Sequence, residues 1–331
     1  MKKIVLVILG LVTVFNCSAI GSAIYWTNPV MEQRDVTIIA RHDLAIVDLE
    51  NLFNNPQELR RLKKVNPGLE ILCYVNFFEV WGNPIPEFRP FGTKLANTIN
   101  SQFPQWLLKD GEGQPVVFYE GMKTLNLSDL CPVISGYTYS RYMAEILLEN
   151  ILDDKVWDGL FLDNLYDEVS WIGQMDLDQD SVVEAKTAVD FAWYRGVDSF
   201  LSNIRDAKGK KFLIFGNHLS LFYKDKVDGR MLEEFPTLAH HDWNVVMRMA
   251  TQWPIVIIQG QGENTAMAFN SSLLVDNAYF CMGNNIPVPE IMLAKINQFK
   301  KLSAKQRGKL TYNSDGSYQR RLGDEIITVR P

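Results

Sequence analysis

The sequence predicts an α/β fold: a (β/α)8 TIM barrel with a long insertion after its third strand and a small β appendage at its C-terminal end. Three observations predict it. From Ile24 onward, short apolar runs alternate with helix-length amphipathic segments, the pattern of parallel strands joined by crossover helices. Several runs, such as Ile71-Leu-Cys-Tyr-Val75 and Ile255-Val-Ile-Ile258, are almost continuously apolar or β-branched, as strands covered on both faces require. Eight such runs within roughly 280 residues suit a closed barrel better than an open doubly wound sheet.

Composition agrees. The 331 residues are 47% hydrophobic and 22% charged, which gives a globular chain with a sizeable core and excludes disordered, collagen-like and coiled-coil classes. The formal charge of −6 offers no global positive field for nucleic acid or an anionic membrane, and leaves neutral or cationic ligands open.

Residues 1–19 read as a leader. Lys2 and Lys3 precede an apolar run from Ile4 to Phe15, and small residues follow through Ala19 and Ala23, which is the pattern of a secretory signal peptide cleaved after Ala19 or Ala23. The run is shorter than the roughly 20 residues that span a bilayer as a helix, so no membrane span is expected and the protein is placed outside the cytoplasm, secreted or periplasmic. Cys17 raises a lipoprotein as the alternative, but Asn16 stands where a small residue normally precedes a lipidated cysteine.

Losing Lys2 and Lys3 takes the formal charge from −6 to −8 and leaves Cys73, Cys131 and Cys281, an odd set that makes no disulfide framework. Cys73 and Cys281 lie in apolar runs and read as buried thiols. There is no CxxC or HxxxH, and no GxGxxG or GxxxxGK[ST], so neither a metal nor a nucleotide cofactor is expected.

The barrel is assigned to residues 20–303. Its strands are predicted at Ile24–Thr27, Leu44–Asp48, Glu70–Asn76, Gly159–Asp163, Phe212–Asn217, Arg230–Glu233, Ile255–Gln259 and Ser272–Ala278. Helices are predicted at Pro29–Arg41, Pro56–Val65, Tyr137–Leu152, Ser181–Ala207, His240–Trp253 and Pro289–Leu302. Val197, Phe200, Leu201 and Ile204 show the helical period, and Ser181 with Glu184 forms a candidate capping box. A monomer is expected.

The stretch Phe77–Tyr137 is too long for a simple connection. It holds six of the fourteen prolines and ten aromatic residues, including Trp81, Trp106, Phe118 and Tyr119. Two readings stand: an aromatic wall over the barrel mouth, or a local core that packs the loop on itself. Residues 304–331 form the appendage, where Asp315-Gly316 marks a hairpin turn in Thr311-Tyr-Asn-Ser-Asp-Gly-Ser-Tyr318.

In this fold the C-terminal ends of the strands build the active site, so those ends nominate the candidates. Two share a pattern, Asp158-Gly-Leu-Phe-Leu-Asp163 and Asp228-Gly-Arg-Met-Leu-Glu233. Alternation along a strand puts Gly159, Phe161 and Asp163 on one face, and Gly229, Met231 and Glu233 on the matching one. The fourth and sixth strands then bring Asp163 and Glu233 to one height across one cavity, the minimum equipment of a glycosidase. A strand-end carboxylate can also serve only to cap the next helix, but the matched register argues against that. Glu234 points away by alternation, unless a strand-end bulge exchanges the two.

Asp48, Tyr74, Asn76, Trp81, Asn164, His218 and Gln259 are candidates for holding sugar hydroxyls or rings at the same mouth. His240 and His241 read as solvated. Asp176-Leu-Asp-Gln-Asp180 has the spacing that opens a calcium loop, but Ser181 and Thr187 replace the required Gly and Glu, so an acidic helix entry is the preferred reading.

Four stretches carry a resemblance: Asn66-Pro-Gly-Leu-Glu-Ile-Leu-Cys-Tyr-Val-Asn76, Trp106-Leu-Leu-Lys-Asp-Gly-Glu-Gly-Gln-Pro115, Leu125-Asn-Leu-Ser128 and Trp157-Asp-Gly-Leu-Phe-Leu-Asp-Asn164. Across about Ile24–Gly283 the chain resembles bacterial hypothetical glycosyl hydrolases similar to the endo-α-1,4-polygalactosaminidase group. The resemblance implies a (β/α)8 glycosidase in which Asp163 and Glu233 share the nucleophile and acid/base work. A small residue would be expected where Glu234 stands.

The reading that follows is a secreted hydrolase of a polysaccharide or oligosaccharide, retaining, with Asp163 as nucleophile and Glu233 as acid/base. An inverting mechanism would use the same pair at greater separation. The alternative is a barrel of the envelope or matrix that binds glycan without cleaving it, which a cavity plugged by side chains would favour.

Overall fold

The computed structural model describes residues 20–218, 220–236 and 243–330. The first half of the barrel comprises β1 (Gly21–Trp26), α1 (Gln33–Ile39), β2 (Leu44–Asp48), α2 (Asn51–Asn54), α3 (Pro56–Val65) and β3 (Glu70–Asn76). The insertion carries β4 (Glu79–Trp81), α4 (Pro90–Gln102), β5 (Lys109–Asp110) and β6 (Met122–Thr124). Then come α5 (Tyr139–Asn150), β7 (Gly159–Asp163), β8 (Met175–Asp176), α6 (Lys186–Lys208), β9 (Leu213–Asn217) and β10 (Gly229–Leu232). The barrel finishes with α7 (Trp243–Ala250), β11 (Ile255–Gly260), α8 (Thr265–Leu274), β12 (Ala278–Met282) and α9 (Glu290–Lys300). Three short strands end the chain, β13 (Thr311–Tyr312), β14 (Tyr318–Leu322) and β15 (Glu325–Val329).

Eight parallel strands close in the order β1-β2-β3-β7-β9-β10-β11-β12, with β12 bonded back to β1. Tyr25, Leu44, Ile46, Leu72, Phe161, Phe215, Met231, Ile257 and Tyr279 pack together inside. Their immediate neighbours, such as Val47, Cys73, Leu160, Leu162 and Ile214, face the surrounding helices. This is the two-residue period of a strand buried on both faces. All three described cysteines are free and buried.

The repeated Asp-Gly step has a structural cause. Asp158 accepts the Ile71 N–H at 2.8 Å and Asp228 accepts the Ile214 N–H at 2.8 Å, so each aspartate stitches the foot of its strand to a neighbouring one. At Gly229 a Cβ would lie 2.4 Å from the Phe215 ring, so only glycine leaves room for that ring inside the barrel. On the intervening β9, Gly159 pairs with Leu213 and Gly229 with Phe215, and the carboxylates at the two tops both reach Asn217.

Seven predicted strands fall on observed ones, but the eighth does not. Ser272–Ala278 spans the end of α8 and the following turn, and the strand is the next segment, Ala278–Met282. Helix α8 buries Ser271 and Ser272 alongside Ala268, Phe269, Leu273 and Leu274, so polar and apolar residues do not separate into two faces and the helical period is lost. The capping box at Ser181 does not form, because α6 begins at Lys186 and the Glu184 carboxylate accepts the Leu177 N–H. The predicted leader, and the predicted helix start at His240 and His241, lie outside the described residues. No helix among the described residues is long and apolar enough to cross a membrane.

The insertion is part core and part wall. Phe77, Phe78 and Trp106 are buried, with Phe77 packed on Phe200 of α6 at 5.1 Å and Phe78 on Trp193 at 5.7 Å. Gly196 of α6 lets that helix lie flush on the insertion's end, since a Cβ there would sit 1.8 Å from the Leu127 carbonyl oxygen. The antiparallel sheet β13-β14-β15 lies against α8 and buries Leu322, Ile327 and Val329 in the core that also holds Leu273 and Leu274.

Candidate active site

The mouth of the barrel opens into a cavity of about 400 Å³ lined by Asp163, Glu233, Asn164 and Tyr74, with Asp48, Arg89 and Trp81 toward the insertion. Asp163 tops β7 two residues above the inward Phe161, and Glu233 stands two residues above the inward Met231 at the end of β10. The predicted pair therefore meets in one open cavity, which the barrel's side chains do not plug.

Asn217 joins the two. Its Nδ2 donates to Asp163 Oδ1 at 2.9 Å and to Glu233 Oε2 at 2.8 Å. Its Oδ1 accepts the His218 N–H at 2.9 Å, which fixes which end of the amide faces the acids. Asp163 also accepts the Tyr74 hydroxyl at 2.6 Å and the Asn164 N–H at 2.9 Å. Three donors thus converge on one carboxylate. Arg230, fully buried, ties the loops above β7 and β9 together by donating to the carbonyls of Leu165 at 3.1 Å and Phe222 at 3.3 Å.

The two acids sit in different surroundings. Burial pushes the Glu233 carboxyl up to about 7, the charge of Asp163 adds to the rise, and the Asn217 amide opposes it. Glu234 does not line the cavity. It is exposed, its backbone turns at φ +49°, and its N–H donates to Gln259 Oε1 at 3.1 Å.

The other candidates divide by role. Tyr74, Asn164 and Trp81 line the cavity, as does Asp48, which is buried and ion-paired with Arg89. Asn76 also lines the cavity, and its amide oxygen accepts the N–H groups of Phe78 and Glu79 at 3.2 and 3.1 Å, so it shapes the insertion's first turn as well. Gln259 lies below, bonded to Glu234 and to Asn284 Oδ1 at 3.3 Å. His218 is outside the cavity lining, with its ring 5.1 Å from that of Tyr166 and Nε2 3.9 Å from Asp167.

Three contributors escaped the sequence reading. Asn217 was visible as a polar strand end, but the neighbouring His218 drew the assignment. Arg89 and Glu79 lie in the insertion, where no strand period assigns a face. As for a cation, Asp176, Asp178 and Glu184 have carboxylate oxygens within 4.8 Å of one another. Each of these carboxylates accepts backbone N–H groups of its own loop.

A (β/α)8 barrel with two inward carboxylates across an open cavity has the build of a glycoside hydrolase. The chain belongs to hypothetical glycosyl hydrolase family 15, whose model matches residues 63–315. No curated protein matches the sequence. Solved structures similar in fold include an α-galactosidase of glycoside hydrolase family 36 from Geobacillus stearothermophilus in complex with raffinose, at 12% identity and a TM-score of 0.55 over 93% of this chain and 46% of that one. An α-L-fucosidase from Paenibacillus thiaminolyticus is similar at 14% identity and a TM-score of 0.54, over 83% of this chain and 47% of that one. A maltogenic α-amylase from Thermotoga neapolitana is similar at 9% identity and a TM-score of 0.53, over 95% and 85%. The chain thus spans about half the length of the first two.

Proposed function

We propose that the protein is an exported hydrolase that cleaves a polysaccharide with retention of configuration, Asp163 attacking the anomeric carbon and Glu233 acting first as acid and then as base. The observation that carries this reading is the Asn217 amide nitrogen shared by both carboxylates. Two oxygens bonded to one nitrogen at 2.9 and 2.8 Å can be no farther apart than the sum of those bonds. That limit on the two bonded oxygens supports the close spacing of retaining pairs, roughly 5–5.5 Å, over the wider spacing of inverting ones.

The chemistry follows from the two environments. Glu233, whose proton is retained to about pH 7, gives it to the glycosidic oxygen as that bond breaks, while Asp163 closes on the anomeric carbon. The donors around Asp163 stabilise the carboxylate that meets the oxocarbenium-like carbon. Glu233, now a base, then takes a proton from the water that displaces the sugar from Asp163.

Asp48, Glu50, Glu79, Asp163 and Glu233 line the cavity with Arg89 as the basic side chain among the described residues, which suits a neutral or cationic sugar. Galactosaminoglycans are our first candidates, on the sequence resemblance to endo-α-1,4-polygalactosaminidases. Export rests on Lys2, Lys3 and the apolar run. We place the cleavage after Ala19, since Ser22 and Ala23 pair within β1 and a cut after Ala23 would remove them.

The test is a panel of purified polysaccharides, galactosaminoglycans included, assayed for new reducing ends with the wild-type protein and with Asp163→Asn. Turnover by the wild type alone, with the substrate's anomeric configuration in the first product by NMR, is the expected result. An inverted product refutes double displacement. Binding without any new reducing ends supports the non-catalytic barrel instead.

A further inference from the structure

We infer that Glu79 is a third working carboxyl of this cavity, a substrate-binding group that holds a hydroxyl of the sugar whose anomeric carbon faces Asp163. The inference rests on the assignment of Asp163 and Glu233 proposed above.

Position comes first. In the barrel β7 stands between β3 and β9, with β10 beyond β9, so Asp163 has Glu233 on one flank and the continuation of β3, which carries Glu79, on the other. If Glu233 meets the glycosidic oxygen, the leaving group lies on the β10 side and the rest of the cleaved sugar extends toward β3. Glu79 lines the cavity on that side together with Trp81 and Tyr119.

The side chain is also built in and only partly used. Asn76 accepts the Glu79 N–H at 3.1 Å and turns the chain so that β4 begins there. The residue is 2% exposed. Its Oε1 accepts the Tyr119 N–H at 3.0 Å and the Asn76 side-chain amide lies beside the carboxylate, whereas its Oε2 is buried with no hydrogen bond of good geometry. An unsatisfied buried oxygen costs a fold about 1–3 kcal/mol, and more if charged, so a residue kept for packing alone would be better replaced by an amide or an apolar group. A ligand that brings a polar hydrogen removes the deficit.

A hydroxyl fits that role best. Burial pushes the carboxyl up to about 7, the Tyr119 N–H and the Asn76 amide oppose the rise, and Asp163 adds to it. Near neutral pH both forms of Glu79 are populated. A hydroxyl donates and accepts, so it satisfies the ionised and the neutral acid alike, while an ammonium satisfies only the first.

The experiment uses the full chain with Glu79→Ala and Glu79→Gln. Each is assayed on the 4-nitrophenyl glycoside that the wild type hydrolyses best and on its monodeoxy analogues, and melted at pH 8. Glu79→Ala is expected to raise KM about tenfold, the equivalent of one hydrogen bond to a charged group. Removing one particular hydroxyl should then cost Glu79→Ala nothing further, although it costs the wild type the same factor. Glu79→Gln, which keeps a donor and an acceptor, should recover most of the affinity and melt no lower than the wild type, whereas Glu79→Ala also loses the bond to the Tyr119 N–H and melts lower. Additive losses at every deoxy position, or a fall in Tm in Glu79→Gln, overturn the inference and leave Glu79 as an anchor for Tyr119. A wild type inert on all glycosides and polysaccharides sinks the hydrolase reading instead, and the melting comparison still decides whether Glu79 is held for a ligand.

Discussion

Replacing Glu233 by Gln should stabilise the protein at neutral pH and above and leave it unchanged below about pH 4.5. Folding raises this carboxyl from 4.5 to about 7, chiefly because burial disfavours its charge. The folded state therefore holds the proton more tightly than the unfolded one. That contribution is complete below about pH 4.5 and is lost as pH rises through 7. At about 1.4 kcal/mol per pH unit, the loss amounts to about 3 kcal/mol at pH 8–9. Glutamine resembles the protonated acid, keeps an oxygen for the Asn217 amide, and has no charge to bury. An unfolding entropy of about 2.1 cal/mol/K per residue makes 3 kcal/mol worth roughly 4–5 °C in a chain of this length. Thermal melts of both proteins from pH 4 to pH 9 provide the assay. The curves should meet near pH 4, diverge between about pH 4.5 and 7, and keep a constant gap above that, with Glu233→Gln the higher. Parallel curves, or a variant that loses ground as pH rises, would refute the account of how this acid keeps its proton.

Other outcomes follow from the same contacts. Asn217→Ala removes the amide that opposes the rise in Glu233, so the alkaline limb of the kcat/KM profile should move to higher pH and kcat should fall about a hundredfold. Glu234→Gln should retain the parent's activity in a reducing-end assay, because that side chain does not line the cavity. Gly196→Ala should lose more than about 3 kcal/mol in chemical denaturation or fail to fold, since its Cβ and the Leu127 carbonyl oxygen cannot share 1.8 Å.

Much of this architecture is legible in the sequence where one period governs a segment. β7 and β10 are bounded by Asp-Gly at the foot and a carboxylate at the top, so the inward face of each carboxylate follows from counting by two. The eighth strand is misread because α8 buries its serines together with its apolar residues and so shows no helical period to set it apart from a strand. Glu79 is illegible for a different reason. Its burial depends on Tyr119, forty residues away, and only the hydrogen bonds from its own turn to Asn76 are local. Asn217 sits on a strand whose period points it inward, but its tie to two acids at once exists only after β7, β9 and β10 have paired.

The first turn of α4 is fastened to the top of β2. Asp48 pairs with Arg89, and the Glu50 carboxylate accepts the N–H groups of Phe91 and Gly92 at 3.0 and 2.8 Å, at the positive end of the helix dipole. The proposed catalytic pair thus stands on β7 and β10, while much of the cavity wall is a separate excursion moored to β2. The enzyme is modular in the engineer's sense. Exchanging parts of the stretch between Gly82 and Met122 while keeping Asp48, Glu50, Arg89, the first turn of α4 and Tyr119 offers a route to new sugar preferences that leaves the proposed carboxylates in place.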